Sequence, residues 1–335
     1  MKYRKLGPSD ISASSIALGT WAIGGWMWGG TDKRESIAAI HAALDNGINL
    51  IDTAPVYGFG VSEEIVGEAL AGRRDKVVLA TKCGLVWNEK KGVFFFPSNA
   101  DGITENADRE VYRYLGPASI RREVEDSLRR LKTDYIDLLQ THWQDSTTPI
   151  AESMETLLKL KEEGKVRAIG VCNASMEQVE EYRRCGQLDS DQEKFSMIDR
   201  TQEKDGKLAY TQKNKLAVLA YSPLALGLLS GRILPERKYG QGDQRNSKER
   251  FSTDNIRLVN KMLDEFKPLA AEKNISIAQL VIAWTISQPG ITHALVGARK
   301  EKQAIENAQA GEVDLSALEL EGMNETISRY YGKII

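Results

Sequence analysis

Short apolar runs alternate along the chain with segments whose apolar positions recur at helical spacing. The runs predict strands over residues 15–18, 48–52, 77–82, 135–142, 166–172, 217–221 and 294–296, with a weaker one over 195–198. The periodic segments predict helices between them. One carries Ile37, Ile40, Ala43 and Leu44 on one face and stops at Gly47; the others cover 63–70, 119–131, 149–163, 176–185, 208–214, 275–287 and 300–310. Alternating strands and helices with short apolar strands imply a parallel sheet covered by helices. Eight such units closing on themselves make an α/β fold of the (β/α)8 TIM barrel type. Ahead of the barrel, residues 2–14 hold Leu6 and the Gly7-Pro8 pair, which mark a short N-terminal β-hairpin acting as a lid on the barrel bottom.

Two stretches break the repeat, 88–117 after the third strand and 224–254 after the seventh. Loops this long in a compact domain are usually functional or disordered, and both leave from the C-terminal face, so they are expected to be walls and lid of a substrate pocket. The run Phe94, Phe95 and Phe96 makes poor surface, which favours burial against a ligand or a neighbouring loop. After the first strand, residues 19–30 interleave glycines with Trp21, Trp26 and Trp28, a pattern that fits a ligand-facing loop or a packed aromatic cap.

A chain of 335 residues fits one barrel domain, 1–335, with insertions. Lys plus Arg number 45 against 47 Asp plus Glu, for a formal charge of -2, so there is no global basic field for nucleic acid. No charged-then-apolar leader and no apolar run of bilayer length is present, which points to a soluble, cytoplasmic protein without a membrane partner. Cys83, Cys172 and Cys185 are an odd number without metal-ligand spacing, in keeping with a reduced compartment. Whether the chain is a monomer or a homo-oligomer is open at this stage.

Asp52, Lys82 and His142 each fall at the end of a predicted strand, and Tyr57 follows Asp52 across a short turn. A carboxylate where a buried strand stops is costly unless a cation needs it. Lys82 is that cation. Tyrosine is a weak acid, with a reference pKa of about 10, and it can donate a proton near neutrality if an ammonium stabilises the phenolate left behind. Asp52 offsets the burial of Lys82, and His142 can orient a carbonyl oxygen or assist the transfer. The group is built to protonate an oxygen; a hydride from a nicotinamide would supply the electrons. No G-x-G-x-x-G follows a strand and opens a helix, so a Rossmann site is unsupported.

The fragments "LGTW", "DTAPVYG", "TKCG", "HW", "GVCNAS", "AYSPLA" and "GARKEKQAIEN", in this order over nearly the whole chain, resemble the aldo-keto reductase superfamily. The similarity is closest to the bacterial members that include the inositol-operon and general-stress reductases. That resemblance implies catalytic roles for Asp52, Tyr57, Lys82 and His142, and reduction of aldehydes or ketones with NADP(H), NAD(H) being possible. It implies a cofactor site beginning at Gly19, Thr20, Trp21 and Asp52. Asn173 and Gln192 would hold the nicotinamide carboxamide beside Cys172, Tyr221 would stack on the ring, and Ser222, Leu224, Gly227 and Leu228 would follow the pyrophosphate. Gly297, Arg299 and Gln303 would surround an adenosine 2′-phosphate, with Asn307 at the adenine. The 300–310 helix start and the forked donor of Arg299 suit a phosphate on physical grounds. The chain departs from the family pattern at Cys172, commonly Ser, at Gln144, usually Pro, and at Gln303, often Arg.

Other chemistries fit less well. A Schiff-base role for Lys82 needs a lysine free of a tight carboxylate, and Asp52 opposes it. His41, His142 and His293 lack the paired spacing of a metal hydrolase. A cofactor-sensing binding module on the same scaffold is the alternative from another class, although all four catalytic positions are filled.

Overall fold

A computed structural model describes all residues, 1–335. Eight parallel strands close into a barrel: β3 (Ile16–Gly19), β4 (Leu50–Asp52), β5 (Val78–Cys83), β9 (Ile136–Thr141), β10 (Val166–Cys172), β11 (Ser190–Lys194), β12 (Ala217–Tyr221) and β13 (His293–Gly297), with β13 pairing back onto β3. The barrel strands thus pair in chain order, as in a (β/α)8 fold. Antiparallel β1 (Tyr3–Lys5) and β2 (Ser12–Ser14) precede them. The hairpin closes the barrel bottom: Leu6, Ile11 and Ala13 join Ala17, Leu50, Leu138, Ala168 and Leu219 in one buried cluster. Gly7 is needed there, since it has φ +57° and a Cβ would stand 2.0 Å from the Asp189 carbonyl oxygen.

Helices α1 (Lys33–Asp45), α2 (Val61–Ala69), α3 (Pro117–Leu131), α4 (Ile150–Glu162), α5 (Met176–Cys185), α6 (Thr201–Lys204) and α7 (Lys207–Lys213) surround the barrel, followed by α8 (Thr253–Asp264), α9 (Lys267–Glu272), α10 (Ile277–Ile286), α11 (Glu301–Ala310) and α12 (Ala317–Tyr330). The third helix shows why the periodicity is legible: Ile120, Val124, Leu128 and Leu131 are buried on one face, and Pro117 fits its first turn. No helix is long and apolar enough to cross a membrane.

The sixth barrel strand differs from expectation. It lies over Ser190–Lys194, not 195–198. Its sequence, SDQEK, carries two carboxylates that burial would forbid without a partner, and Lys207 supplies one, 3.0 Å from Asp191 and also paired with Glu193. The 88–117 excursion is also more ordered than a loop. There β7 (Val93–Ser98) and β6 (Leu85–Val86) flank β8 (Arg109–Arg113) in an antiparallel sheet of their own. Helices α8 and α12 were not anticipated, although Ile256, Val259, Met262 and Leu263 give α8 a clear buried face.

Candidate active site

Parallel pairing sets Asp52 opposite Ala80, so Lys82 lies two residues further toward the C-terminal mouth and its side chain points the same way as that of Ala80. The ammonium is completely enclosed, with side-chain exposures of 0% for Lys82 and 3% for Asp52. All three of its protons are placed: Nζ donates to Asp52 Oδ2 at 2.7 Å, to the Thr53 carbonyl at 2.9 Å and to Tyr57 Oη at 3.2 Å. Asp52 Oδ1 accepts from Gln192 Nε2 at 2.8 Å and Gln140 Nε2 at 3.3 Å. The carboxylate therefore stays buried with both of its oxygens hydrogen-bonded.

Burial pulls the Lys82 ammonium down, but Asp52 and then Tyr57 more than offset it, so Lys82 is held above its ordinary value and remains a cation. For Tyr57 the balance runs the other way. Burial pushes the phenol up to about 12, with Lys82 opposing and Asp52 adding to the rise. The cation thus moderates the cost of burying a phenolate but does not bring the free phenol to neutrality, and Tyr57 is fully protonated at physiological pH. His142 follows β9 and meets the Tyr57 ring edge-on, with centroids 5.7 Å apart at 84°. Burial, and next the Lys82 charge, hold its imidazole well below the usual histidine range, so it is neutral.

Tyr57 is positioned by backbone contact. A Cβ on Gly24 would stand 2.6 Å from the Tyr57 carbonyl oxygen, and one on Gly58 would stand 2.3 Å from the Gly24 carbonyl oxygen. The Trp21–Gly24 turn and the Tyr57 turn can therefore touch only through glycine. Above them Trp21 stacks on Tyr57 at 6.3 Å.

Asp52, Tyr57, His142, Gln192 and Trp21 border a cavity of about 880 Å³, within the range of ligand pockets, and Lys82 lies behind them. Of the expected cofactor residues, Gly19, Thr20, Trp21, Asp52, Asn173, Gln192, Tyr221, Ser222, Leu224, Gly227, Gly297, Arg299, Gln303 and Asn307 line it. Cys172 and Leu228 do not. Cys172 is buried at the end of β10, where its carbonyl accepts from Gln144 Nε2 at 2.9 Å. Leu228 is turned into the hydrophobic core, and Leu226, in a left-handed conformation with φ 59°, lines the cavity instead. Asn173 Nδ2 donates to the His142 carbonyl at 3.0 Å and its Oδ1 accepts from Tyr221 Oη at 2.9 Å, linking three strand ends. At the cavity edge the Arg299 fork donates to the carbonyls of Trp28 at 3.0 Å and Gly30 at 2.6 Å, while Gln303 Oε1 accepts from its backbone N–H at 3.0 Å.

The wall is aromatic. Between Phe94 and Phe96 the register of β7 against β8 shifts, so Phe95 is an extra residue, and Phe95 and Phe96 both line the cavity. Phe94, expected to be buried, is 50% exposed because the strand turns it outward. Sequence reasoning gave Gln140 and Trp143 no role at the site and reached Gln244 and Arg245 only as members of the expected 224–254 wall, which they do line. Gln140 could have been found by strand alternation, since it precedes His142 by two positions and shares its face. Gln244 and Arg245 carry no such signal: they reach the cavity because Trp28 bridges Asp243 and the Gln244 N–H donates to the Met27 carbonyl at 3.0 Å. Met27 in turn donates to the Asp101 carbonyl at 3.0 Å, so three excursions meet over the cavity.

The residues suit a nicotinamide dinucleotide. Ser222, Ala225 and Leu226 all hold φ near +50° in one short turn at the cavity edge, a strained backbone of the kind kept at ligand sites. Beside it α11 starts without a side-chain cap, leaving backbone donors for an anion. A closed barrel whose mouth brings Asp52, Tyr57, Lys82 and His142 together beside one cavity has the architecture of a (β/α)8-barrel oxidoreductase. More narrowly, the chain belongs to the aldo/keto reductase family, whose model matches residues 15–327. It is 43% identical over 331 residues, 97% of this chain and 98% of the other, to the NADH-specific methylglyoxal reductase of Escherichia coli (strain K12). It is 42% identical over 306 residues, 90% of this chain and 86% of the other, to the aldo-keto reductase YhdN of Bacillus subtilis (strain 168). Among solved structures it is similar to the glycerol dehydrogenase AKR11B4 from Gluconobacter oxydans, with a TM-score of 0.85, 42% identity and coverage of 98% and 95% of the two chains.

Proposed function

We propose that the protein reduces a small aldehyde or ketone, reversibly, with Tyr57 as the proton donor. The observation that carries this reading is the enclosed Lys82 ammonium reaching Asp52 Oδ2 at 2.7 Å and Tyr57 Oη at 3.2 Å beside a neutral His142. A bound NADPH, or NADH, supplies the hydride. The chain's own residues do the rest. His142 donates one N–H to the substrate oxygen and fixes it near Tyr57 Oη. As negative charge grows on that oxygen, Tyr57 passes its proton, and the phenolate left behind is stabilised by Lys82. Asp52 keeps Lys82 charged and in place, and the hydrogen-bonded Asn173–Tyr221 pair and Gln192, which line the cavity, would orient a nicotinamide.

NADP(H) is the cofactor that the family resemblance favours, and the name of the NADH-specific relative supports NAD(H) as well. The names of a methylglyoxal reductase and a glycerol dehydrogenase among its relatives support a small carbonyl or alcohol as substrate. In this reading the enzyme works in the cytoplasm on a diffusible metabolite. Tyr57→Phe removes one oxygen and keeps the ring. It is expected to bind cofactor normally while its turnover of aldehydes, followed by NAD(P)H absorbance, falls by about 100-fold or more. Wild-type turnover in that variant would overturn the assignment, and cofactor binding without turnover of any carbonyl by the unmutated protein would favour the sensing module.

A further inference from the structure

Gln140 is fully buried and lies outside the cavity lining, yet its side chain joins the polar centre of the barrel. It stands on β9, and Gln192 stands on β11, two strands along. The strand between them, β10, pairs Gly170 with Gln140, and a Cβ on Gly170 would stand 3.0 Å from Gln140 Cγ and 2.2 Å from Ser190 Oγ. That missing side chain leaves Gln140 room to cross β10. Its Oε1 accepts from Gln192 Nε2 at 3.2 Å, and its Nε2 donates to Asp52 Oδ1 at 3.3 Å. Gln192 Nε2 donates to the same Oδ1 at 2.8 Å.

An amide side chain can be turned end for end only if its partners tolerate the exchange of oxygen and nitrogen. Here they do not. A carboxylate paired with the Lys82 ammonium has no proton to give, so both amides must turn nitrogen toward Asp52, and Gln140 then meets Gln192 with its oxygen. Both protons of Gln192 Nε2 are thereby taken. Its Oε1 receives no hydrogen bond from the protein and keeps accessible surface, unlike the enclosed orphan oxygen of Gln144. Because Gln192 lines the cavity, its amide shows a ligand an acceptor and no donor.

We infer that Gln140 is a positioning residue that pins the Gln192 amide with only its oxygen toward the cavity, so that the site takes a nicotinamide carboxamide by its N–H and rejects a carboxylate in that place. The inference rests on the proposed binding of a nicotinamide cofactor in this cavity. A carboxamide offers N–H donors to Oε1, whereas the carboxylate of the nicotinic acid form offers none and sets negative charge against an oxygen. Without the Gln140 oxygen, one proton of Gln192 Nε2 loses its acceptor while the other stays on Asp52, and the amide can swing the free N–H toward the cavity. The contact bears on the chemistry as well, because a carboxamide held by one edge sets which face of the nicotinamide ring turns toward Tyr57.

The test compares, by calorimetry, the Kd of the preferred cofactor, NADP+ or NAD+, with that of its nicotinic acid counterpart in the unmutated protein, Gln140→Met and Gln140→Glu. Met keeps the length of the side chain and removes the amide. Glu, held protonated by the Asp52 charge, keeps an oxygen for Gln192 and a proton for Asp52. The unmutated protein is expected to favour the carboxamide form by about tenfold or more, Gln140→Met to cut that preference by about fivefold, and Gln140→Glu to keep most of it. A merely structural Gln140 would weaken both ligands alike and leave the ratio unchanged. An unchanged ratio in Gln140→Met, or the same loss in Gln140→Glu, would overturn the inference, as would equal binding of the two forms by the unmutated protein; each leaves the reductase reading standing. Gln140→Leu, which also lacks the amide, decides the matter if Gln140→Met does not fold. If the unmutated protein binds no nicotinamide cofactor at all, the reductase reading falls, and the inference with it.

Discussion

Replacing Lys82 by Met tests the electrostatic core of the site, because its two consequences can be separated. The first is on stability. Lys82 and Asp52 are both enclosed, and deleting one member of such a pair leaves a buried charge uncompensated, at about 3–5 kcal/mol. Asp52 would keep the amide donors of Gln192 and Gln140 on Oδ1, which places the expected cost toward the lower end. Against a typical total stability of about 5–15 kcal/mol, that leaves a folded but weakened protein. The second is on chemistry. Tyr57 already sits at about 12 with the ammonium in place, and without it nothing opposes burial, so carbonyl reduction is expected to fall by about 100- to 10,000-fold. Asp52→Asn combined with Lys82→Met removes the stranded charge. Urea unfolding should then recover most of the lost stability, while NAD(P)H oxidation stays as low as in the single variant. Recovered activity in the double variant, or near-normal activity in Lys82→Met, would refute the role given to the ammonium.

Two further outcomes follow from the geometry. Gly24→Ala brings a methyl to 2.6 Å from the Tyr57 carbonyl and should displace that turn, lowering kcat by about tenfold or more while leaving the fold intact by circular dichroism; unaffected kcat would mean that the turn yields without moving the phenol. Burial raises the Asp191 carboxyl to about 8, Lys207 opposing and Glu193 adding to the rise. Its folded value lies above its unfolded value of about 4, so the stability it lends is complete below pH 4 and is lost as pH rises toward and through 8. Asp191→Asn should flatten that decline in thermal unfolding between pH 5 and 9, and an unchanged slope would place the dependence elsewhere.

Much of the frame was legible because each element obeys one local rule. The fifth helix is legible at its observed bounds, Met176–Cys185, and the structure shows a Ser175 capping box fixing its start. Seven barrel strands stood out as apolar runs. The sixth did not, since Asp191 and Glu193 read as surface until Lys207, from a helix further along the chain, is seen to reach both. The quartet Asp52, Tyr57, Lys82 and His142 was readable from strand ends, because alternation and a closed barrel force those positions together. The cavity roof was not. Trp28, Gln244 and Arg299 meet through backbone carbonyls and N–H groups, which any sequence supplies equally, so nothing in the residue types announces the contact.

The additional residue at Phe95 has a consequence for how such an enzyme can change. It sits in a small sheet outside the barrel, so adding or deleting one position there would swap which aromatic ring faces the cavity without shifting any barrel strand. The aromatic wall and the Asp52, Tyr57, Lys82 and His142 group are thereby held on separate parts of the backbone, so short insertions reshape the first while the second is inherited unaltered.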